Sequence, residues 1–342
     1  MNKLLEVKDL QTHFIMKKEV VKAVDGVSFS INEKETFGLV GESGSGKSQT
    51  CRSILGLVKK PGKVVGGEIL YKKEDVVKMS KDQLRKIRGH EISIIFQEPM
   101  TSLNPVLKIR KQIFEAFDRT NMTKEEKRKK SIELLKLVGI PSPETRMEEY
   151  THQFSGGMRQ RAMIAIALAS EPSLLIADEP TTALDVTIQD QIMQLLNQLK
   201  EELGMSILLI THDLAVVAQM CDRVAVMYAG MIVEMTDTYT LFSTPRHPYT
   251  NALIQSLPNQ KGTKERLEPI HGAPPNLADL PTGCPFHPRC KFAEEICRTS
   301  RPELTDLTNT HQVRCHFLNK TIGFKGTFTP NKKLGGRDGE NS

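Results

Sequence analysis

The chain has 342 residues, 39% of them apolar and 26% charged. That is enough for two or three units that each bury a core, and it excludes a disordered or fibrous protein. The net charge of +6 reads as a mildly basic surface, and with no tryptophan and only 5% aromatics, side chains for base stacking are scarce, so no nucleic acid is expected as a partner.

No stretch approaches the ~20 apolar residues of a membrane span, and the opening MNKLLEVKDL lacks the apolar core of a signal peptide. The protein is therefore expected to stay where it is made, in a reducing compartment. Residues 5–8, 24–31 and 36–40 alternate with period two, and these strands are expected to form an antiparallel layer. The third runs into a glycine-rich turn and a helical stretch near 47–57. A strand is expected at 92–96. From about 100 to 150 the chain turns helical and charged, with 124–130 as a solvated helix face.

A helix is expected from Ser155 through Ala169, then a buried strand at 174–177. The next helix places Ile188, Ile192, Leu195, Leu196, Leu199 and Leu203 on one stripe. A strand at 207–210, a short helix from Asp213, and a hairpin of 224–228 and 231–235 turning at Gly230 follow. This alternation predicts an α/β class with a mostly parallel core sheet. After about 245 prolines cluster, and four of the six cysteines fall between 284 and 315, which reads as a separate appendage. The polar stretch from about Thr321 reads as a mobile tail.

Gly41, Glu42, Ser43, Gly44, Ser45, Gly46, Lys47 and Ser48 fit the phosphate-binding pattern G-x-x-x-x-G-K-[ST], between a strand and a helix as that pattern requires. Glycines let successive backbone N–H groups curl around a phosphate, and the following helix, beginning with Ser48 and Gln49, adds partial positive charge. Lys47 is expected on the β- and γ-phosphates and Ser48 on Mg²⁺. Downstream, an apolar strand ends in Asp178 and Glu179. Asp178 suits a second Mg²⁺ ligand, and Glu179 can polarise the water that attacks the γ-phosphate.

Ser155, Gly156, Gly157, Met158 and the following Arg-Gln-Arg resemble the signature of the ATP-binding cassette (ABC) family, a resemblance that covers roughly residues 1–245. Phe154 and Met158 depart from the family's usual leucine and glutamine. Ser155 is a good N-cap, and a helix start with two glycines can approach an anion closely. By resemblance that anion is the γ-phosphate held by a partner subunit. The resemblance also makes Gln97 the glutamine that senses Mg²⁺ and leads into a helical subdomain at about 98–165. It makes Thr182-Ala183-Leu184-Asp185 the loop at the dimer seam, with Asp185 communicating between sites, and His212 the switch histidine that orients Glu179. Phe14 takes the place of the aromatic that stacks on adenine. The implied cofactors are ATP and Mg²⁺, and the implied enzyme is an ATPase built as a head-to-tail dimer.

The stretch from Gln97 to Pro105 (QEPMTSLNP) and Arg246-His247-Pro248-Tyr249-Thr250 resemble the oligopeptide/dipeptide importer subfamily. This implies a cassette at 1–245, an extension at 246–320 and a flexible tail at 321–342. It also implies a second, related ATP-binding subunit, two membrane permeases and an extracellular peptide-binding protein, with this chain peripheral on the cytoplasmic face of the membrane. Related subunits serve nickel, glutathione or oligosaccharide importers, and a non-transport ABC ATPase of DNA repair is the competing class. That class often carries paired cassettes, coiled-coil insertions or zinc modules inside the cassette. Cys284, Cys290, Cys297 and Cys315, spaced C-x5-C-x6-C-x17-C, suit a [4Fe–4S] cluster or a Cys₄ Zn²⁺ site. The subfamily resemblance favours the cluster.

Overall fold

The computed structural model describes residues 2–98, 102–118, 120–182, 184–257 and 270–324. Positions 99–101 of the QEPMTSLNP stretch, Ala183 and the expected tail beyond 324 lie outside them. The strands are β1 (Lys3–Ile15), β2 (Val20–Asn32), β3 (Thr36–Val40), β4 (Gly62–Tyr71), β5 (Glu74–Asp75), β6 (Ile92–Ile95), β7 (Leu174–Asp178), β8 (Ser206–Thr211), β9 (Arg223–Tyr228), β10 (Met231–Asp237), β11 (Thr305–Thr308) and β12 (His311–Val313). The chain divides into two compact units, one centred on Lys78–Ile210 and one comprising Lys3–Ile31, Glu35–Val77 and the residues from Thr211 onward. The break expected near 245 is not where the structure divides.

In the first unit β8, β7 and β6 lie side by side and parallel, with Ile94 opposite Ile176 and Ile176 opposite Leu208. All five residues of β7 and all six of β8 are buried, so these strands read as continuous apolar runs and not as alternations. Helix α1 of this unit (Gly156–Leu168) starts at Ser155 and is capped at Ala169, as expected. On α2 (Val186–Leu203), Ile192, Leu195, Leu196 and Leu199 are buried, while Leu203 at the end of the stripe is 39% exposed. The charged run lies on Lys124–Leu137, opened by a capping box of Thr123 and Glu126, and that run is mostly exposed.

In the second unit β2, β1, β4 and β5 form one sheet in that order, β4 antiparallel to both β1 and β5. The expected antiparallel layer is therefore present, with β1 and β2 each 13 residues long. Strand β3 corrects the expectation. It leaves that layer and pairs parallel with β9, Gly38 opposite Val224. Its five residues are all buried, which suits a central parallel strand and not a half-wetted antiparallel one.

Strands β9 and β10 form the hairpin turning at Gly230 (Met231 opposite Tyr228), and β12 then pairs antiparallel with β10, Glu234 opposite Val313. The C-terminal part is thus not a separate appendage, because it continues this unit's own sheet. It also supplies hydrogen-bond partners to a fully buried carboxylate. Glu234 accepts from the backbone N–H of Arg246 (2.7 Å) and of His247 (2.8 Å) and pairs with His311 Nε2 at 2.9 Å. A buried carboxylate without such partners would cost several kcal/mol.

His247 caps the helix Pro248–Gln255, its Nδ1 accepting from the N–H of Tyr249 at 3.0 Å. Burial, with the Arg314 charge adding to it, pushes the imidazole down to about 3, so it is neutral in the folded protein. Below its ordinary 6.5 the unfolded chain takes up a proton that the folded chain refuses, so this contribution to stability is complete above 6.5 and lost as pH falls toward 3. The expected loss is up to about 1.4 kcal/mol per pH unit. His247→Asn keeps a capping acceptor without the titration. Its urea midpoint should fall less between pH 7 and pH 5 than the wild type's; equal slopes would remove His247 as the source.

Candidate functional site

Strand β3 delivers Gly41 to a tight loop that ends at the helix Lys47–Ile54. Only glycine fits at two of its corners. A Cβ on Gly41 (φ 152°) would lie 2.2 Å from the Met227 carbonyl oxygen, and one on Gly46 (φ 106°) would lie 2.3 Å from that of Ala23. The Lys47 ammonium, 5% exposed, donates to the carbonyls of Gly41 (2.7 Å) and Glu42 (2.9 Å) and lies 3.4 Å from Ser45 Oγ. Ser43 and Gly44 are exposed at the tip, while Ser48 and Gln49 are half-buried in the first helical turn. The loop is a backbone nest with a fixed cation at a helix N-terminus, which is the electrostatic arrangement that holds a phosphate.

Glu42 departs from the phosphate-binding role. Its N–H donates to Tyr249 Oη at 3.0 Å, and its carboxylate is held by Arg289 through Nη1 (2.6 Å) and Nη2 (3.0 Å). Sequence reasoning missed Arg289, because 247 residues separate it from Glu42 and nothing local marks the pair. Tyr249 sits in the Arg246–Thr250 motif, but the motif does not reveal its partner. Phe14 lies on β1 opposite Gly62 of β4, where its ring fills the space a side chain would take. His212 follows β8 and is exposed, and the next residue, Asp213, caps the helix Leu214–Met220. These residues all belong to the second unit.

The first unit brings three other residues together. Asp178 closes β7, 6% exposed, and Glu179 follows with φ 47°, a left-handed backbone that non-glycine residues rarely adopt and that clusters at active sites. The Glu179 carboxylate oxygen Oε2 accepts from Gln97 Nε2 at 3.0 Å and from Thr182 Oγ1 at 2.9 Å. Gln97 therefore steadies the expected base directly, and Thr182, expected only as the first residue of the dimer-seam loop, is a second orienting group. Ser155 Oγ accepts from the N–H of Met158 at 3.3 Å, so Ser155, Gly156, Gly157 and Met158 form a capped helix start. Asp185 is likewise the N-cap of α2, accepting from the N–H of Ile188 at 2.9 Å.

The four C-terminal cysteines line one enclosed, apolar pocket with Phe286, Phe292 and Phe317. The wall repeats a local pattern, Cys284-Pro285-Phe286, Cys290-Lys291-Phe292 and Cys315-His316-Phe317. In each the phenylalanine's N–H faces the sulfur two residues before it, at 3.4 Å for Cys290 and 3.5 Å for Cys315. Burial pushes the Cys284 and Cys290 thiols up to about 11. Four thiols and three N–H donors around one dry pocket fit a thiolate-ligated group, whose positive charge would offset the burial penalty. Among the described residues no group of three or more Cys, His, Asp or Glu side chains is placed to hold a single metal ion. Cys51 and Cys221 are buried apart from the pocket, as expected of small apolar residues.

A glycine nest for phosphate, a strand-end carboxylate pair and a capped Ser-Gly-Gly helix define a nucleoside-triphosphate-binding cassette. The pattern common to ABC transporters matches residues 24–182, and that of the oligopeptide/dipeptide transporter C-terminal region matches 233–297. The chain is 51% identical to the oligopeptide transport ATP-binding protein AppD of Bacillus subtilis, over 94% of this chain and 99% of that one. It is 46% identical to the dipeptide transport ATP-binding protein DppD of Escherichia coli, over 92% and 96%. Among solved structures it resembles MJ0796, a bacterial ABC transporter cassette in dimeric form (TM-score 0.62, 31% identity, 68% of this chain and 98% of that one). The chain belongs to the ABC transporter family and carries the C-terminal region of its oligopeptide/dipeptide branch. It is an ATP-hydrolysing transporter subunit.

Because the Thr182 hydroxyl donates to the Glu179 carboxylate, Thr182→Ala should lower ATP turnover by roughly tenfold while changing the Kd for ATP less than twofold. Steady-state ATPase assays beside ATP titrations check this. An equal loss in both would place the hydroxyl in binding instead.

Proposed function

We propose that the chain energises uptake of oligopeptides or dipeptides, working with a second, non-identical ATP-binding subunit, two membrane permeases and an extracellular peptide-binding protein. Gly41 and residues 43–49 hold the ATP phosphates, Phe14 packs against the adenine, and Ser155 to Met158 present a helix N-terminus to the ATP of the partner subunit. Asp185 links the two sites across the dimer seam. Ser48, Asp178 and Gln97 are the residues for Mg²⁺, which neutralises phosphate charge when bound. Glu179, steadied by Gln97 and Thr182 and aided by His212, takes the proton of the attacking water. Among the described residues no helix is long and apolar enough to cross a membrane; a peripheral position on the cytoplasmic face is part of the same proposal, supported by the likeness to peptide-transport ATP-binding proteins.

The observation that carries this reading is the Gln97–Glu179–Thr182 constellation in a chain that matches peptide-transport ATP-binding proteins over nearly its whole length. A cassette solved as a dimer with ADP and Pi, 32% identical to this chain, supports the paired arrangement. Glu179→Gln should leave ATP binding intact, hold the ATP-bound pair closed and reduce turnover by two orders of magnitude or more. Peptide uptake by cells carrying it should stop. Near-normal turnover would remove Glu179 as base, and normal peptide uptake without this subunit would remove the cargo assignment.

The pocket of Cys284, Cys290, Cys297 and Cys315 is proposed to hold a [4Fe–4S] cluster, whose chemistry there is to cross-link a segment with little core of its own. The three N–H donors and the phenylalanine walls support a dry, thiolate-bound group. Anaerobic purification should yield brown protein with about four iron and four sulfide per chain, and Cys297→Ser should lose the colour. Colourless, zinc-loaded protein would overturn the cluster in favour of a Cys₄ site.

A further inference from the structure

Glu42 is grasped at every polar atom it has, and mostly by the C-terminal region. Its carbonyl accepts from Lys47 Nζ (2.9 Å) and from the N–H of Ser45 (3.2 Å), both within the loop. Its N–H goes to Tyr249 Oη, and its carboxylate to the two-pronged clasp of Arg289. The arginine is itself built in. Its side chain is 5% exposed, its Nε donates to the His271 carbonyl at 3.0 Å, and its guanidinium lies 5.8 Å from the centre of the Tyr228 ring. Tyr228, Tyr249 and Phe286 pack ring against ring behind it, at 4.7 to 5.4 Å between centroids.

This geometry matters for a loop that receives phosphates. A free carboxylate one residue after Gly41 would repel a triphosphate at short range, where screening by salt is weak. We infer that Arg289 is a positioning residue for ATP binding, which shapes the phosphate loop through Glu42 and cancels the charge that Glu42 would otherwise set against the phosphates. The two planar groups meet fork to fork, a geometry lysine cannot reproduce. The inference rests on the loop being the ATP site.

The test is ATP titration of the full-length chain by calorimetry, with ATPase rate measured against ATP concentration. Arg289→Ala should raise the Kd and the KM for ATP by roughly tenfold or more and change kcat less than threefold. Arg289→Lys should fall between it and wild type. Removing the carboxylate charge as well, in Arg289→Ala/Glu42→Gln, should bring the Kd back to within about threefold of wild type, which a merely structural role for Arg289 would not do. Should Arg289→Ala fail to fold, Arg289→Lys and the double variant carry the same comparison. A single variant with wild-type Kd, or a double variant no better than the single, overturns the inference. Wild-type protein that binds no ATP would instead refute the ATP reading of the loop.

Discussion

A loop that offers its backbone N–H groups to a phosphate cannot use those same groups to hold itself in shape, so its shape must be imposed by other contacts. Here the constraint is met by close backbone approach at Gly41 and Gly46 and by Lys47 gathering the loop's own carbonyls. Glu42 is tied outward to Tyr249 and Arg289. A preorganised nest loses little entropy when its ligand arrives, which is why rigidity there contributes to affinity. The placement of β3 against β9 and the hairpin at Gly230 serve the same end, since Met227 provides the carbonyl that crowds Gly41.

The carboxylate proposed as the base faces a different demand. Glu179 must point off the end of a buried strand in one orientation, and its left-handed backbone costs of order 1–3 kcal/mol. Two hydrogen bonds to one of its oxygens, from Gln97 and Thr182, offset that cost and fix the carboxylate's orientation. Strain held by surrounding contacts is a usual feature of a working site.

The C-terminal region does more than add a cysteine-rich segment. Its strand β12 extends the sheet at β10, its His311 pairs with Glu234, and its Arg289 reaches the phosphate loop. The last is a largely buried ion pair, which contributes modest net stability but imposes specific geometry. The repeated Cys-x-Phe triplets place an N–H donor and an aromatic wall beside each of three sulfurs, so a few residues of local sequence build much of that pocket.

What the sequence determined by itself was everything set by local chemistry. The phosphate loop, the strand-end carboxylates, the capped Ser-Gly-Gly helix, the hairpin at Gly230 and most strands and helices depend on residues within a few positions of one another, so spacing and period reveal them. The fate of β3 was not local, because a five-residue apolar strand reads the same whether its neighbours run parallel or antiparallel. Nor was the union of the C-terminal region with β10, or the clasp of Arg289 on Glu42. Those depend on which buried charges and unpaired strand edges meet after the chain has collapsed, and only the tertiary structure decides that.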